Sequence, residues 1–197
     1  MFYMKKFLSL IICAIFVLSL TACSENGTKT NGGGEIERYA KAGQIKEVEY
    51  KLGDDVSTTK EALSAAYNAL EDSGEEHDHD HEHEAFYMDF ETGDYTVMSD
   101  GNVLCCYVTD KKSDGITHII NNGTSYGFEQ GTILTQVRDA MSKLGYDTTE
   151  RNADKSELFF LPGSANMNMT VLEYKFDENT VLFVFEDSAL SATVIFK

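Results

Sequence analysis

Two runs of four strand-like segments, each preceded by an amphipathic helix, constrain most strongly what this 197-residue chain can fold into. The first helix is predicted over about residues 59–70, where Thr58 and Glu61 have the spacing of a capping box. Alternating segments follow it, with turn signals at Gly93 and Gly101. These segments are 85–90, 94–98, 102–109 and 116–121.

The pattern then starts again in the second half of the chain. Thr132 is placed to cap a second helix, and Gly145 is placed to end it. The apolar side chains that share one face of this helix are Ile133, Val137, Met141 and Leu144. The strand-like segments that follow are 157–161, 169–176, 180–186 and 192–196.

This recurrence predicts an internal duplication. The order of elements over residues 45–197 resembles the tandem helix-plus-sheet units of β-lactamase-inhibitor-like proteins and of small envelope lipoproteins of that shape. The predicted fold class is α+β, with two tandem repeats at 45–121 and 122–197, each a helix packed on a four-stranded antiparallel meander. In such a fold the remaining sheet faces are open to a partner.

The N-terminus has the parts of a secretory signal peptide: Lys5 and Lys6, an apolar run over 7–20, and small residues before a cut site. As a helix the run reaches about 21 Å, which is less than the ~30 Å of a hydrocarbon core. The end of the run, Leu20-Thr21-Ala22-Cys23, resembles the lipobox of bacterial lipoproteins. The alternative is an ordinary cleaved signal followed by an unrelated cysteine.

The lipobox resemblance implies that residues 1–22 are removed and that Cys23 receives a diacylglyceryl group and becomes the mature N-terminus. Acyl chains on Cys23 would hold the protein on the outer side of the cell membrane, because two chains suffice for stable anchoring. Residues 24–34 are polar and glycine-rich. Residues 23–44 are assigned to the lipidated cysteine and a flexible tether, with a short helix expected over 35–42.

The charge of the chain excludes one class of partner. The sequence has 16 basic and 33 acidic side chains and a formal net charge of −17. Without the two leader lysines the charge is about −19, which repels nucleic acid and anionic headgroups. Cations and basic proteins would be attracted.

Cys105 and Cys106 are adjacent on a predicted strand. Neighbours on a strand point to opposite faces, so one thiol is expected to be buried and the other to face outward. A disulfide between them, the alternative, would need a distorted peptide.

The strongest chemical signal is the tract EEHDHDHEHE at 75–84, in an acidic insert assigned to 71–84. Imidazole nitrogen and carboxylate oxygen both suit Zn²⁺, and four imidazoles also suit Ni²⁺ and Cu²⁺. The predicted metal ligands are His77, His79, His81 and His83 with Asp78, Asp80, Glu82 and Glu84. The tract resembles the His-rich loops of zinc-uptake lipoproteins, but the spacing does not fit a closed structural zinc site. The alternative is a solvated acidic loop that meets metal only incidentally.

Residues 123–127 read G-x-S-x-G between a strand and a helix, as in a nucleophile elbow. All five histidines precede Ser125, so the order serine, acid, histidine cannot be completed. His118 is interpreted as an ordinary strand residue. No catalytic residue is therefore assigned.

The sequence is compatible with two candidate functions. The first is a membrane-anchored, extracytoplasmic, non-enzymatic binding module with a protein partner in the envelope, no obligatory cofactor and no nucleic-acid partner. The second is a metal-handling lipoprotein that binds zinc, or another divalent metal, through its His-rich loop.

Overall fold

In the computed structural model, residues 32–72, 88–160 and 169–197 are described. The described residues contain three α-helices, which are α1 (Gly32–Lys41), α2 (Val56–Asp72) and α3 (Leu134–Lys143). Two short 3-10 helices span Thr109–Asp114 and Lys155–Leu158. No helix among these residues is both long enough and apolar enough to span a bilayer.

Eight strands are described. In chain order they are β1 (Met88–Thr92), β2 (Tyr95–Ser99), β3 (Val103–Val108), β4 (His118–Asn121), β5 (Thr149–Asn152), β6 (Met169–Phe176), β7 (Asn179–Glu186) and β8 (Ala189–Phe196). They form one sheet in the order β1-β2-β3-β4-β8-β7-β6-β5, and every neighbouring pair is antiparallel.

The single sheet overturns the predicted pair of tandem repeats. The prediction gave each helix its own four-stranded meander, whereas β4 pairs with β8, with Ile119 opposite Ile195, and joins all eight strands. The helices also share one core, in which Leu63 of α2 and Val137 of α3 belong to the same cluster. The described residues therefore form one eight-stranded antiparallel sheet with helices, and the predicted architecture of two tandem repeats is wrong.

The composition of β4 and β8 explains why the sheet continues through them. Each strand carries apolar side chains on both faces: Ile119 and Ile120 in β4, and Val194 and Ile195 in β8, all at most 2% exposed. A strand edge with apolar side chains on both faces would expose them together with unpaired backbone groups. Pairing β4 with β8 satisfies those groups and buries all four side chains.

One side of the sheet, the helix face, packs against the helices. Ile36 and Ala40 of α1, Leu63 of α2 and Met141 of α3 cluster with sheet residues such as Phe183. Asn179, at the start of β7, donates two hydrogen bonds through Nδ2 to the carbonyl oxygens of Ala40 (2.9 Å) and Lys41 (3.1 Å). These bonds satisfy carbonyls at the end of α1 and attach the helix to the sheet. α1 lies within the segment 23–44 and covers most of the short helix expected over 35–42.

The opposite side, the loop face, has a second apolar cluster. It includes Val97, Ile120, Leu182 and Val194, and Leu158 and Phe160 from the connection between β5 and β6 pack against it. Both faces therefore carry buried residues, and the expectation of sheet faces left open to a partner does not hold at these positions.

Burial of both faces also corrects the prediction for the two cysteines. Cys105 lies in the core of the helix face and Cys106 in the core of the loop face, and both are free and 0% exposed. The prediction that the two thiols point to opposite faces of the sheet is confirmed. Neither thiol faces outward, however, because both faces of β3 are covered here.

The helix starts differ from the sequence-based ones. Asp55 precedes α2, and its carboxylate accepts hydrogen bonds from the backbone N–H (2.9 Å) and hydroxyl (3.0 Å) of Thr58, so Asp55 is the cap. Thr132 does not cap α3, because its hydroxyl donates to the Glu129 carbonyl oxygen instead. Ile133, expected on the buried face of α3, precedes that helix and is 49% exposed.

The predicted strand over 157–161 is wrong. The strand that pairs with β6 is β5, whose sequence TERN has no apolar side chain, and residues 155–158 form a 3-10 helix instead. An edge strand with both faces polar has no alternation to detect.

Candidate functional site

The predicted site residues lie outside the residues that the structure describes. Cys23, the expected lipid attachment site, falls in 1–31. The expected metal ligands His77, Asp78, His79, Asp80, His81, Glu82, His83 and Glu84 fall in 73–87. The described neighbours of this second segment are the end of α2 at Asp72 and the start of β1 at Met88. Within the described ranges, no group of three or more His, Cys, Asp or Glu side chains is arranged to hold a metal ion.

The G-x-S-x-G segment forms a tight hairpin turn. Ser125 and Phe128 exchange backbone hydrogen bonds of 2.9 Å, and the two residues between them, Tyr126 and Gly127, have φ angles of 53° and 83°. Positive φ at both central positions is typical of a type I′ turn. Ser125 is 0% exposed, and its hydroxyl accepts a hydrogen bond from Nδ2 of Asn121 (3.0 Å).

A carboxylate holds this turn in place. Glu47 accepts hydrogen bonds from the backbone N–H groups of Tyr126 (2.6 Å) and Gly127 (2.9 Å). The Tyr126 hydroxyl in turn donates to the carbonyl oxygen of Gln44 (2.8 Å). The segment therefore serves to attach the loop after α1 to the loop after β4.

A cluster of four rings at one end of the loop face is the most distinctive arrangement. It consists of Tyr95, His118, Phe159 and Phe196, and we call it the aromatic patch. Tyr95 and Phe159 are stacked, with centroids 4.4 Å apart, and His118 and Phe196 are stacked at 5.3 Å. His118 also meets Tyr95 (5.1 Å) and Phe159 (5.3 Å) edge to face. All four side chains are half-buried, so the patch presents aromatic surface to its surroundings.

Strand register brings three of the rings together. His118 of β4 lies directly opposite Phe196 of β8, and also opposite Cys106 of β3. Cys106 lies opposite Val97 of β2, two residues after Tyr95, so Tyr95 is on the same face. The patch therefore extends over four adjacent strands, β2-β3-β4-β8.

The fourth ring is positioned by an ion-pair network at the opposite edge of the sheet. Arg151 of β5 binds both carboxylate oxygens of Glu157 (2.7 and 2.6 Å) and one carboxylate oxygen of Glu173 in β6 (3.1 and 2.8 Å). Asp154 and Glu157 form a capping box around the 3-10 helix Lys155–Leu158. The helix is thereby held near the edge of the sheet, and Phe159, the next residue, reaches Tyr95 in β2.

His118 is neutral in this environment. Burial lowers the pKa of its imidazole to about 4. Thr117 Oγ1 lies 3.1 Å from the Cys106 carbonyl oxygen and 3.0 Å from His118 Nδ1, so the Thr117 hydroxyl bridges the backbone of β3 and the imidazole ring. Burial raises the pKa of the Cys106 thiol well above its ordinary value, so the thiol stays protonated and unreactive.

The sequence interpretation missed this site. It treated His118 as an ordinary strand residue and placed Phe159 within a strand. A signal was present: the pairs Tyr95/Val97, His118/Ile120 and Val194/Phe196 each put a ring two residues from an aliphatic side chain. That spacing places each ring on the same face as its aliphatic neighbour, but which strands adjoin is a long-range property.

Comparisons with protein-family models, with curated proteins and with solved structures find no match to this chain.

Proposed function

We propose that this chain is a lipid-anchored, extracytoplasmic binding protein that recognises a protein partner through the aromatic patch. The observation that carries the proposal is the half-buried group formed by Tyr95, His118, Phe159 and Phe196 on one face of a sheet whose central residues are buried. Aromatic side chains are enriched where protein interfaces concentrate their binding energy.

The site has the features of a preorganised binding surface. Three of its rings are on strands, and the fourth is held by Arg151 and Glu157, so little side-chain freedom remains to be lost on binding. The neutral ring of His118 adds no charge that a partner would have to desolvate.

The charge of the chain supports a partner with a basic surface. With 33 acidic and 16 basic side chains, the protein attracts cationic surfaces and repels anionic ones. Electrostatic steering of this kind acts mainly on the association rate, so association should slow as salt is added.

Site-specific photocrosslinking in cells tests the proposal. A photoreactive amino acid at Tyr95 should give a discrete crosslink to one envelope protein. The same amino acid at Ile133, which is exposed but lies outside the patch, is the matched control and should not. The Tyr95 crosslink should disappear when Phe196 is replaced by Ala. Identical products from both positions, or a crosslink unaffected by Phe196→Ala, would contradict the proposed surface.

Membrane attachment is part of the same proposal. It is supported by the lipobox-like Leu20-Thr21-Ala22-Cys23 after a short apolar run. Lipid on Cys23 would confine the patch to the membrane surface, where a partner in the same membrane meets it at a raised effective concentration.

A second candidate function is zinc handling by the histidines of the tract at 77–83. Four imidazoles interleaved with four carboxylates in eight consecutive residues support it, because these are zinc-binding groups. Both functions can coexist, since the aromatic patch uses none of these residues.

A further inference from the structure

The ring contacts of the aromatic patch fix the place of His118 within it. His118 lies 5.1 Å from Tyr95 and 5.3 Å from Phe159, and its ring plane is at 85° and 89° to theirs. Because Tyr95 and Phe159 are stacked on each other, a ring at nearly equal distances from both lies beside the stack and not on top of it. His118 therefore has Phe196 on one side, across β8, and the edge of the Tyr95–Phe159 stack on the other.

This arrangement leaves one face of Tyr95 without a ring against it. Phe159 occupies the other face of Tyr95, and Phe159 in turn meets Phe160 edge to face at 5.7 Å. Within the part of the chain that the structure describes, no further ring contacts Tyr95, whose side chain is half-buried. We call this side of the ring the open face of Tyr95.

A carboxylate adjoins Tyr95 without a cation of its own. Asp94, in the turn between β1 and β2, is exposed and forms no ion pair with any residue that the structure describes. The neighbouring 3-10 helix Thr109–Asp114 carries two acids and two lysines and so adds no net charge. At the other end of the patch, Lys197 is paired with Glu178 at 3.1 Å. An uncompensated negative charge and an open aromatic face thus occur together at the Tyr95 end.

We propose that the partner supplies an arginine to this end of the patch, with its guanidinium on the open face of Tyr95 and its N–H groups donating to Asp94. This inference rests on the proposed function, because it specifies the chemistry that the patch recognises. A cation is attracted to the face of an aromatic ring, and a planar guanidinium can also donate two parallel hydrogen bonds to one carboxylate, which an ammonium cannot. The chain itself contains such a contact in α1, where Cζ of Arg38 lies 4.8 Å from the centroid of the Tyr39 ring.

Charge also distinguishes between the possible occupants of the patch. A second copy of this chain would bring another formal charge of −17 and a second Asp94 to the same surface, so the two copies would repel each other. The neutral ring of His118 adds no positive charge that would oppose a cation. A partner that presents an arginine is therefore favoured over self-association.

The test is an amide NMR titration of the purified full-length protein with three probes that differ only in the side chain. The probes are the Nα-acetyl amides of arginine, lysine and citrulline, and citrulline has the size and planarity of arginine without its charge. We expect the arginine probe to shift the signals of residues 94–96 and to bind about three- to fivefold more tightly than the citrulline probe. The lysine probe should bind with intermediate affinity, because it retains the charge but lacks the planar fork.

Two substitutions of turn residues separate local recognition from general attraction. Asp94→Asn should lower the affinity for the arginine probe to about that for the citrulline probe and leave citrulline binding unchanged. Asp187→Asn is the matched control, since Asp187 is also an exposed acid in a hairpin turn, at the opposite end of β8 from Phe196. This control should leave the affinity for all three probes unaltered.

Several results would overturn the inference. They are the absence of shifts at 94–96, equal affinities for the arginine and citrulline probes, or equal effects of Asp94→Asn and Asp187→Asn. Signals of the patch that move with protein concentration in the absence of a probe would show that a second copy occupies it instead. A Tyr95 crosslink that persists without any preference for arginine would overturn this inference alone, whereas loss of patch-specific crosslinking would overturn the proposed function.

Discussion

Phe159 stacks on Tyr95 with ring centroids 4.4 Å apart and ring planes 12° apart. Tyr95 is in β2, near one edge of the sheet, whereas Phe159 follows β5, which forms the other edge. Residues 153–160, which follow β5, therefore cross the loop face, and we call them the strap. We expect the stability of the Phe159–Tyr95 contact to depend on the ion pairs of Arg151 at the base of the strap.

Arg151→Met tests the base of the strap. The substitution leaves the carboxylate of Glu157, 24% exposed, without its cation, and leaves that of Glu173, 17% exposed, with only Lys175 at 3.6 Å. We expect a loss of about 1–3 kcal/mol in the free energy of unfolding, measured by urea denaturation. The matched control is Arg138→Met, which breaks a more exposed pair with Glu150 and should cost less than about 1 kcal/mol. Equal losses in the two variants would show that the network does not hold the strap.

His118 provides a pH-dependent prediction. Its folded-state pKa of about 4 lies below the ordinary 6.5, so the unfolded chain binds the proton more readily between these values. The stability contributed by neutral His118 is present above pH 6.5 and is lost as the pH falls towards 4. The loss approaches about 3 kcal/mol at its limit, at 1.36 kcal/mol per pKa unit.

The measurement compares urea denaturation of the wild type and His118→Phe at several pH values. Their difference in unfolding free energy should be constant above pH 7 and shift in favour of the variant below 6. The other four histidines and all carboxylates are common to both proteins, so their titration largely cancels. An NMR titration that gives His118 an ordinary pKa would refute the neutral, buried ring.

The elements that the sequence predicted best have strong local patterns. The strand expected at 169–176 coincides with β6, and the two main helices were placed within a few residues of α2 and α3. In these segments the spacing of apolar residues along the chain is enough to indicate a helix or a strand. Local capping was harder to predict: Thr58 has the capping-box spacing, but Asp55, three residues earlier, is the residue that caps α2.

What the sequence could not specify is which edges pair. The apolar pattern is the same whether the strands form two separate four-stranded sheets or one continuous sheet. The buried pairs Ile119-Ile120 of β4 and Val194-Ile195 of β8 are compatible with both arrangements. The aromatic patch depends on that pairing, since it sets His118 beside Phe196. The position of Phe159 could not be predicted either, because the apolar run at 158–161 is as compatible with a strand as with the strap.

Cys23→Ala tests the proposed anchor. If lipid on Cys23 holds the protein, the wild type should partition into detergent and its mature N-terminal peptide should carry acyl mass, because two acyl chains give stable membrane attachment. The variant should remain uncleaved or be released. Cys13→Ala, which changes a cysteine within the apolar run, is the matched control and should leave attachment unaltered. A wild-type mature chain that begins elsewhere, without acyl mass, would contradict the anchor.

The histidine tract gives the last prediction. If His77, His79, His81 and His83 capture metal, the protein should bind Zn²⁺ with a dissociation constant of about 1 µM or tighter by titration calorimetry. Affinity should fall as the pH drops from about 7.5 to 5.5, because neutral imidazole is the ligand and protons compete for it. Replacing all four with Gln should abolish binding and leave the unfolding free energy unchanged, since the described core contains none of these residues. His118→Gln is the control and should retain zinc binding, because that ring lies in the aromatic patch. If the quadruple variant binds zinc as tightly as the wild type, carboxylates alone are responsible and zinc handling by the tract is excluded.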